Sequence, residues 1–277
     1  MFAYSFMQRA LIAIILLGII LPIIGLNMTT KRLSMIGDTL SHTSLCGIAL
    51  GLAAGTMPTV WAIGVSIVAG IIIEIVRNHF KKYSELTLSI VMSTAVGVAG
   101  ILTSKWASGN KIESYLFGSL ITVQWDSIWI IIGVSIITIL FNLIFYRTIM
   151  YTSYSESEAR ISGVPVKAMN LINTILVACV VAVASSIIGS LLVSSLLVIP
   201  VASSLQLCKS YKFTMLSSII ISLICGVSGL CISYSLSINT GGTIVLMATA
   251  ILILSIIYKF ILKNLFKSRA LERSKSA

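Results

Sequence analysis

Two side chains that could bind a metal ion stand one helical turn apart in a largely apolar stretch of the sequence. Asp38 and His42 share the segment Leu33-Ser34-Met35-Ile36-Gly37-Asp38-Thr39-Leu40-Ser41-His42, and their i, i+4 spacing places both on one face of a helix. A carboxylate and an imidazole so placed suit a borderline divalent cation such as zinc or manganese. If the stretch spans a membrane, His42 is about 15 Å beyond Arg32, near the centre of a hydrocarbon core about 30 Å thick. Ionisable groups are costly there, so the pair predicts a functional site.

A structural role for the pair is the alternative. Asp38 could cap its helix, and His42 could bond a neighbouring hydroxyl group. The two side chains also cannot hold zinc by themselves, because zinc normally takes four ligands. The remaining ligands would come from other helices, from water or from a second copy of the chain. Incomplete coordination suits transport, since a closed four-ligand site would trap the ion.

The composition of the chain requires lipid as its solvent. The 277 residues are 57% hydrophobic and 10% charged, with a mean hydropathy of +1.07, which is more apolar surface than a soluble domain of this size can bury. The net charge of +11 comes from short basic clusters between apolar runs, without the aromatic interleaving of a nucleic-acid-binding face. Residues 1–26 lack a small-residue cleavage site and are expected to be a retained first span rather than a signal peptide.

The sequence contains nine stretches that are long enough to cross a bilayer. They are residues 7–27, 34–55, 58–76, 86–104, 125–146, 169–186, 188–207, 213–235 and 241–262. Eight spans are also possible, since the sixth and seventh stretches are almost continuous and could include one broken helix. The segment Ser114–Val123 is too short to cross and predicts an interfacial or re-entrant segment. The expected fold is an all-α polytopic bundle of 8–9 transmembrane helices, with a permease domain over 1–262 and a basic cytoplasmic tail over 263–277.

The basic residues orient these spans. With the N-terminus outside and the C-terminus inside, all of the 19 lysines and arginines except Arg9, Lys105 and Lys111 fall on the cytoplasmic side, as the positive-inside rule requires. Gly47, Gly51 and Gly55 recur every four residues along the second span, which predicts close packing of this helix inside the bundle.

Other polar and thiol groups predict mainly structural roles. Glu74 stands three residues before Arg77 and is expected to form a local ion pair with it. The cytoplasmic loop 148–168 should contain a short helix from about Ser155 to Ser162, which begins at a serine cap and ends at Gly163 and Pro165. The cysteines form no Cys-x-x-Cys pair and are expected to behave as small apolar side chains. No P-loop motif is present, so the chain is not expected to hydrolyse ATP itself.

An ordered set of motifs from about Phe6 to Tyr258 resembles the permease subunits of metal-type ABC importers, the class that takes up zinc, manganese and iron. The segment around Asp38 and His42 is the first motif, and Gly47 follows it. The others are Tyr115-Leu116-Phe117-Gly118-Ser119, Glu158-Ala159 with Gly163-Val164, Gly189-Ser190-Leu191-Leu192-Val193, Leu197-Val198-Ile199-Pro200, Gly229 to Tyr234 and Gly241-Gly242-Thr243-Ile244-Val245. The opening Phe6-Met7-Gln8-Arg9-Ala10 and the segment Leu116 to Thr122 are most similar to the zinc branch of low-GC Gram-positive bacteria. Cys46 departs from the family pattern and could place a soft ligand near the path.

The resemblance implies a fold like that of the large type II importers, with two copies of the permease around a central path in the bacterial plasma membrane. It implies Asp38 and His42 as metal ligands, and no permanently bound cofactor besides the transported Zn²⁺ (or Mn²⁺ or Fe²⁺). It further implies an extracellular metal-binding lipoprotein and an ABC ATPase that docks on the coupling loop. The loop residues concerned are Glu156, Glu158, Ala159 and Gly163.

Other functions compete with metal import. A siderophore or cofactor importer of the same fold would favour a wide path without a ligand pair at mid-membrane. An intramembrane metal enzyme would need a third ligand and a general base, and the sequence has two histidines in total and no His-Glu-x-x-His motif. A stand-alone secondary carrier would be expected to show repeated halves.

Overall fold

The structure is a computed structural model that describes residues 4–80, 84–106, 116, 118, 125–208, 210–236 and 238–275. All secondary structure in this part of the chain is α-helical. In chain order the helices are α1 (Ser5–Thr30), α2 (Ile36–Ala53), α3 (Pro58–His79), α4 (Ser84–Trp106), α5 (Trp125–Ile144), α6 (Tyr146–Tyr154), α7 (Glu156–Ile161), α8 (Val166–Ile188), α9 (Ser190–Leu207), α10 (Tyr211–Leu236) and α11 (Thr240–Lys275).

The predicted helical spans are confirmed. Within the described residues, 8 helices are long and apolar enough to cross a membrane, namely α1, α3, α4, α5, α8, α9, α10 and α11. Helix α2 is the remaining predicted span. It has 18 residues, but Asp38, His42 and several hydroxyl side chains keep its hydropathy below that of the others. The predicted span that is too polar to qualify is thus the one that carries the candidate ligands.

The sixth and seventh predicted spans are two separate helices. Gly189, with φ at 90°, lies between α8 and α9, and a residue with a side chain is strained at such a φ. The backbone of Gly118, also at positive φ, lies against the carbonyl of Ile188 at this break. Apart from Leu116 and Gly118, the predicted interfacial segment Ser114–Val123 is outside the described residues.

The apolar core runs through the centre of the bundle, and the peripheral helices turn apolar faces outward. The main buried cluster joins residues of α1, α2, α8 and α9. In contrast, Ile90 of α4, Trp129 of α5 and Leu246 of α11 are 66%, 68% and 70% exposed. Large exposed side chains on three outer helices identify the surface that lipid covers.

Helix α2 packs closely against α3 through two glycines. A Cβ on Gly47 would lie 2.6 Å from the Cα of Ala62, and a Cβ on Gly51 would lie 2.7 Å from the Cα of Pro58. The predicted glycine contact is therefore present at these two positions. Gly55 does not take part, because it lies beyond the end of α2 with φ at 66°, and a Cβ added to it would meet no described atom within 4 Å.

The cytoplasmic loop forms the short helix that the sequence predicts. Helix α7 begins after Ser155, whose hydroxyl accepts a hydrogen bond from the Glu158 amide, as an N-cap should. It ends before Gly163, which has φ at 80°. Helix α6 precedes α7 and packs against it and against α1. A compact two-helix element thus follows α5 at one end of the bundle.

Candidate functional site

Asp38 and His42 lie on a strip of α2 that the described part of the chain leaves open. Both side chains are half-buried, whereas residues 39–41 and 43–49 are all buried. Met35, one turn before Asp38, is 44% exposed and extends the strip. The predicted shared face is therefore present, and it points away from the core of the single chain.

Contacts on the other faces of α2 show where this strip points. The Thr39 hydroxyl donates to the Leu88 carbonyl of α4 at 3.4 Å, and Gly37 faces Leu197 of α9. On the opposite side from the strip, Ser44 donates to the Ser185 hydroxyl of α8 at 2.8 Å. By helical geometry the pair faces the space between α4 and α9.

Asp38 lies in the first turn of α2 but is not its N-cap. The N-cap of α2 is Met35, and no side chain caps this helix, so Asp38 does not act as the cap. Neither the carboxylate nor the imidazole makes a hydrogen bond or an ion pair with another described residue. The half-buried carboxylate and imidazole therefore keep lone pairs that no described side chain uses.

The described residues supply no third ligand to this pair. No group of three or more His, Cys, Asp or Glu side chains that could hold a metal ion occurs among them. Cys46, one further turn along α2, is a free thiol that is 6% exposed and belongs to the covered part of the helix. The described part of one chain therefore offers at most these two ligands, fewer than the four that a structural zinc site takes.

A second polar site lies at the cytoplasmic end of the bundle, and we call it the Glu74 cluster. Its members are Lys31, Glu74, Arg77, Glu156 and Asn170. Arg77 contacts Glu74 at 2.8 Å and Glu156 at 3.9 Å. Lys31 donates to the Asn170 side-chain oxygen at 2.6 Å, and the Asn170 amide donates to Glu156 at 2.9 Å. The predicted Glu74–Arg77 ion pair is confirmed, but it is part of a larger network.

The Glu74 cluster is buried at Glu74 and Asn170 and open to water at Glu156, whose side chain is 38% exposed. Glu74 is 2% exposed and Asn170 is 4% exposed. The second carboxylate oxygen of Glu74 accepts a bond from Thr174 of α8 at 3.4 Å. Burial lowers the pKa of Lys31 to about 8, although the Glu156 carboxylate opposes this effect. Buried charges are thus balanced by partners from several helices.

Sequence reasoning missed most of the Glu74 cluster and a second buried polar contact. Asn27 donates to Asn142 of α5 at 3.0 Å and accepts from the Tyr211 hydroxyl. Asn27 and Asn170 are buried polar residues inside or beside apolar spans, and such residues usually have partners on other helices. That signal was present in the sequence, but it does not identify the partner.

The coupling-loop residues divide between two faces of α7. Ala159 is buried against the bundle at 2% exposure, and Glu156 enters the Glu74 cluster. Glu158 and Arg160 are exposed, and Ile161 is 87% exposed. Gly163 ends the helix. The loop helix is therefore anchored on one side and free on the other.

The positions of the basic residues at this end of the bundle agree with the membrane orientation that the sequence predicts. The Glu74 cluster gathers the ends of α1 and α3 with α7 and the start of α8, and Lys259 of α11 donates to Gln206 of α9 at 2.8 Å. These are the basic residues that the positive-inside rule assigned to the cytoplasm.

The helical fold defines a multi-pass membrane protein. The ABC 3 transport family model matches residues 3–259. The chain therefore belongs to the ABC 3 transport family.

Similar proteins match over almost their whole length. The chain is 32% identical to the "Probable metal transport system membrane protein" of Treponema pallidum, covering 92% of this chain and 96% of that protein. It is 30% identical to the "Manganese import system permease protein ScaB" of Streptococcus gordonii, covering 91% of each. It is 26% identical to the "High-affinity zinc uptake system membrane protein ZnuB" of Haemophilus influenzae, covering 91% and 97%.

A solved structure confirms the fold. The structure described as "PsaBC from Streptococcus pneumoniae in complex with Fab" superposes with a TM-score of 0.81, at 28% identity, and covers 91% of both chains. The expectation of a permease fold of the importer type is thus confirmed over nearly the whole chain.

Proposed function

We propose that this chain is the membrane subunit of an ABC importer that conducts a divalent transition metal ion, with zinc as the preferred ion, into the cytoplasm. The observation that carries the proposal is the pair Asp38 and His42, half-buried on α2 and free of partners among the described residues. An unpaired carboxylate within a membrane is costly unless a cation visits it. The family membership and the metal-transport names of its relatives support the same class of cargo.

A second copy of the chain completes the proposed path. The strip with Asp38 and His42 points out of the single bundle between α4 and α9, and the described residues of one chain supply too few ligands for zinc. Two copies related by a twofold axis would bring two such strips face to face. The ion then meets up to four protein ligands, with water completing or loosening the coordination.

The names of relatives do not separate zinc from manganese, because they include both metals. A carboxylate and an imidazole can bind either ion. Sites of nitrogen and oxygen ligands bind Zn²⁺ more strongly than Mn²⁺ by the Irving–Williams order, and the sequence motifs around Asp38 are similar to the zinc branch. Manganese is the first alternative cargo, and iron is the second.

Parallel uptake of radioactive zinc and radioactive manganese tests the proposal. At equal free concentrations, cells that express the complete importer should take up zinc at least about tenfold faster than manganese. The control is the same strain without the permease. A reversed preference would assign manganese as the cargo, and uptake of neither ion above the control would remove metal import altogether.

The proposed partner on the cytoplasmic side is an ABC ATPase that docks on the free face of α7. This face carries Glu158 and Arg160, and Ile161 is 87% exposed although it is apolar. A large apolar side chain outside the lipid-facing surface indicates a protein contact. On the outer side, the proposed partner is a metal-binding lipoprotein that delivers the ion.

Reversing the charge of Glu158 should weaken ATPase docking. In Glu158→Lys the exposed face of α7 loses its complementarity to the partner, and we expect copurification of the ATPase with the permease to fall by about tenfold. Copurification from detergent-solubilised membranes measures this. Glu85→Lys, the same change at the start of α4, is the matched control, and undiminished copurification of Glu158→Lys would contradict docking at this face.

A further inference from the structure

We propose that the Glu74 cluster transmits movement of the loop helix α7 to α3 and α8, and thereby to the metal-binding strip on α2. This inference rests on the proposed function, because it assumes that an ATPase moves α7. Arg77 and Glu156 are the positioning residues that carry the coupling. Without their contact, ATP hydrolysis would proceed without delivering metal ions at the normal ratio.

The cluster joins four separate parts of the chain. Lys31 follows α1, Glu74 and Arg77 belong to α3, Glu156 begins α7 and Asn170 lies in the first turns of α8. Glu156 is the cluster member on the loop helix, and it reaches both Arg77 at 3.9 Å and Asn170 at 2.9 Å. Any shift of α7 therefore acts directly on two spans through one carboxylate.

The burial of Glu74 makes a stability role a weak explanation for the inner part of the cluster, whereas the Glu156 side chain at its edge is 38% exposed. Glu74 is 2% exposed, and a buried ion pair often contributes no more stability than apolar side chains of the same volume. What a buried network does supply is a small number of discrete, fully bonded arrangements. Arg77 already contacts two carboxylates, Glu74 within α3 and Glu156 on α7, so it can shift between them as α7 moves.

The route from α3 to the metal-binding strip consists of close backbone contacts. Gly47 of α2 lies directly on Ala62 of α3, and Gly51 lies on Pro58. Further along α3, Gly70 faces the Thr174 side chain of α8, and Thr174 donates to Glu74. Helices α2 and α3 move together, because backbone meets backbone at Gly47 and Gly51.

Helix α7 is built as a two-sided element. Its free face carries Glu158 and Ile161, while Ala159 and Glu156 face the bundle. A helix of 6 residues is too short to absorb a push by bending. Force applied to the free face must therefore reach Glu156 and the cluster.

The test measures metal ions transported per ATP hydrolysed, in proteoliposomes that contain the complete importer, with zinc as the probe. Arg77→Gln and Glu156→Gln each remove one charge and keep a hydrogen-bonding side chain of similar length. We expect each variant to lower the ratio by about tenfold and the double variant to lower it by no more than either single change, because both interrupt one contact. In Arg77→Gln, which lies outside the coupling loop, ATP hydrolysis and ATPase copurification should stay within about twofold of the wild type. Glu85→Gln, an exposed carboxylate at the start of α4, is the matched control.

Other outcomes contradict the inference. An unchanged ratio would remove the coupling role, and so would a parallel loss of hydrolysis and uptake, which a merely structural role predicts. Additive losses in the double variant would show that Arg77 and Glu156 do not act through their contact. A wild-type importer that transports no zinc or manganese would instead contradict the proposed function, so the two failures are distinguishable.

Discussion

Alanine at either Asp38 or His42 is expected to abolish metal uptake while leaving the permease in the membrane. Each change removes one of the two ligands that a chain contributes, so the proposed pair of chains loses two of its four ligands. Even the outer partners of metal ligands are worth about 10–100-fold in affinity or activity, so we expect uptake to fall by more than about 100-fold. Radioactive metal uptake at equal permease content is the measurement.

The folded state should tolerate both changes. Asp38 and His42 make no hydrogen bonds or ion pairs through their side chains with other described residues, and replacing an unpaired carboxylate in a membrane removes a cost. Permease content in the membrane and its melting temperature in detergent should therefore not fall. His79→Ala provides the matched control, because His79 is exposed and its ring contacts the Ile75 carbonyl of its own helix. Uptake at the wild-type level by both ligand variants would eliminate the proposed site.

Local features were predictable from the sequence because short-range geometry determines them. The Asp38–His42 face requires only a helix and an i, i+4 spacing. The loop helix follows from a serine cap and a glycine stop, and α7 is found between Ser155 and Gly163. The Glu74–Arg77 ion pair likewise joins residues one turn apart on α3.

The Glu74 cluster was not predictable, since it depends on how distant helices pack. Lys31 and Asn170 are 139 residues apart in the chain, and Glu74 and Thr174 are 100 apart. A sequence can show that Asn170 is a polar residue near an apolar span, but it does not show which helix lies beside it. Lys31 was assigned only to a side of the membrane, and Arg77 only to its pair with Glu74, whereas the structure makes both members of one network.

Helix α2 was found in the sequence as the apolar stretch 34–55, although it is not among the helices that qualify as spans by hydropathy within the described residues. It falls short because it carries Asp38, His42 and several buried hydroxyl side chains. The glycine spacing was a better guide, since Gly47 and Gly51 place α2 against α3 whatever the polarity of its other face. Gly55 shows the limit of that guide, because it lies past the helix end.

Replacing Gly47 with alanine is expected to destabilise the permease strongly. The new Cβ would lie 2.6 Å from both the Cα of Ala62 and the carbonyl oxygen of Trp61, and main-chain atoms cannot rotate away. Overpacking a core lowers the free energy of unfolding by about 1–3 kcal/mol even where side chains can adjust. The loss for Gly47→Ala should therefore lie at the upper end of this range or exceed it. Thermal unfolding in detergent should show a clearly lower melting temperature.

The matched control, Gly64→Ala, is expected to change the stability of the permease in the opposite direction. Gly64 is an exposed residue of α3, and a Cβ added to it would meet no described atom within 4 Å, while alanine is favoured over glycine in a helix by about 1 kcal/mol. Gly64→Ala should therefore be neutral or stabilising. Gly47→Ala should be destabilising and should also reduce uptake, because α2 cannot be pushed from α3 without moving Asp38 and His42. Equal melting temperatures for the two variants would mean that the backbone of α2 does not contact the backbone of α3 at Gly47. The route from the Glu74 cluster to the metal-binding strip would then lose its last contact.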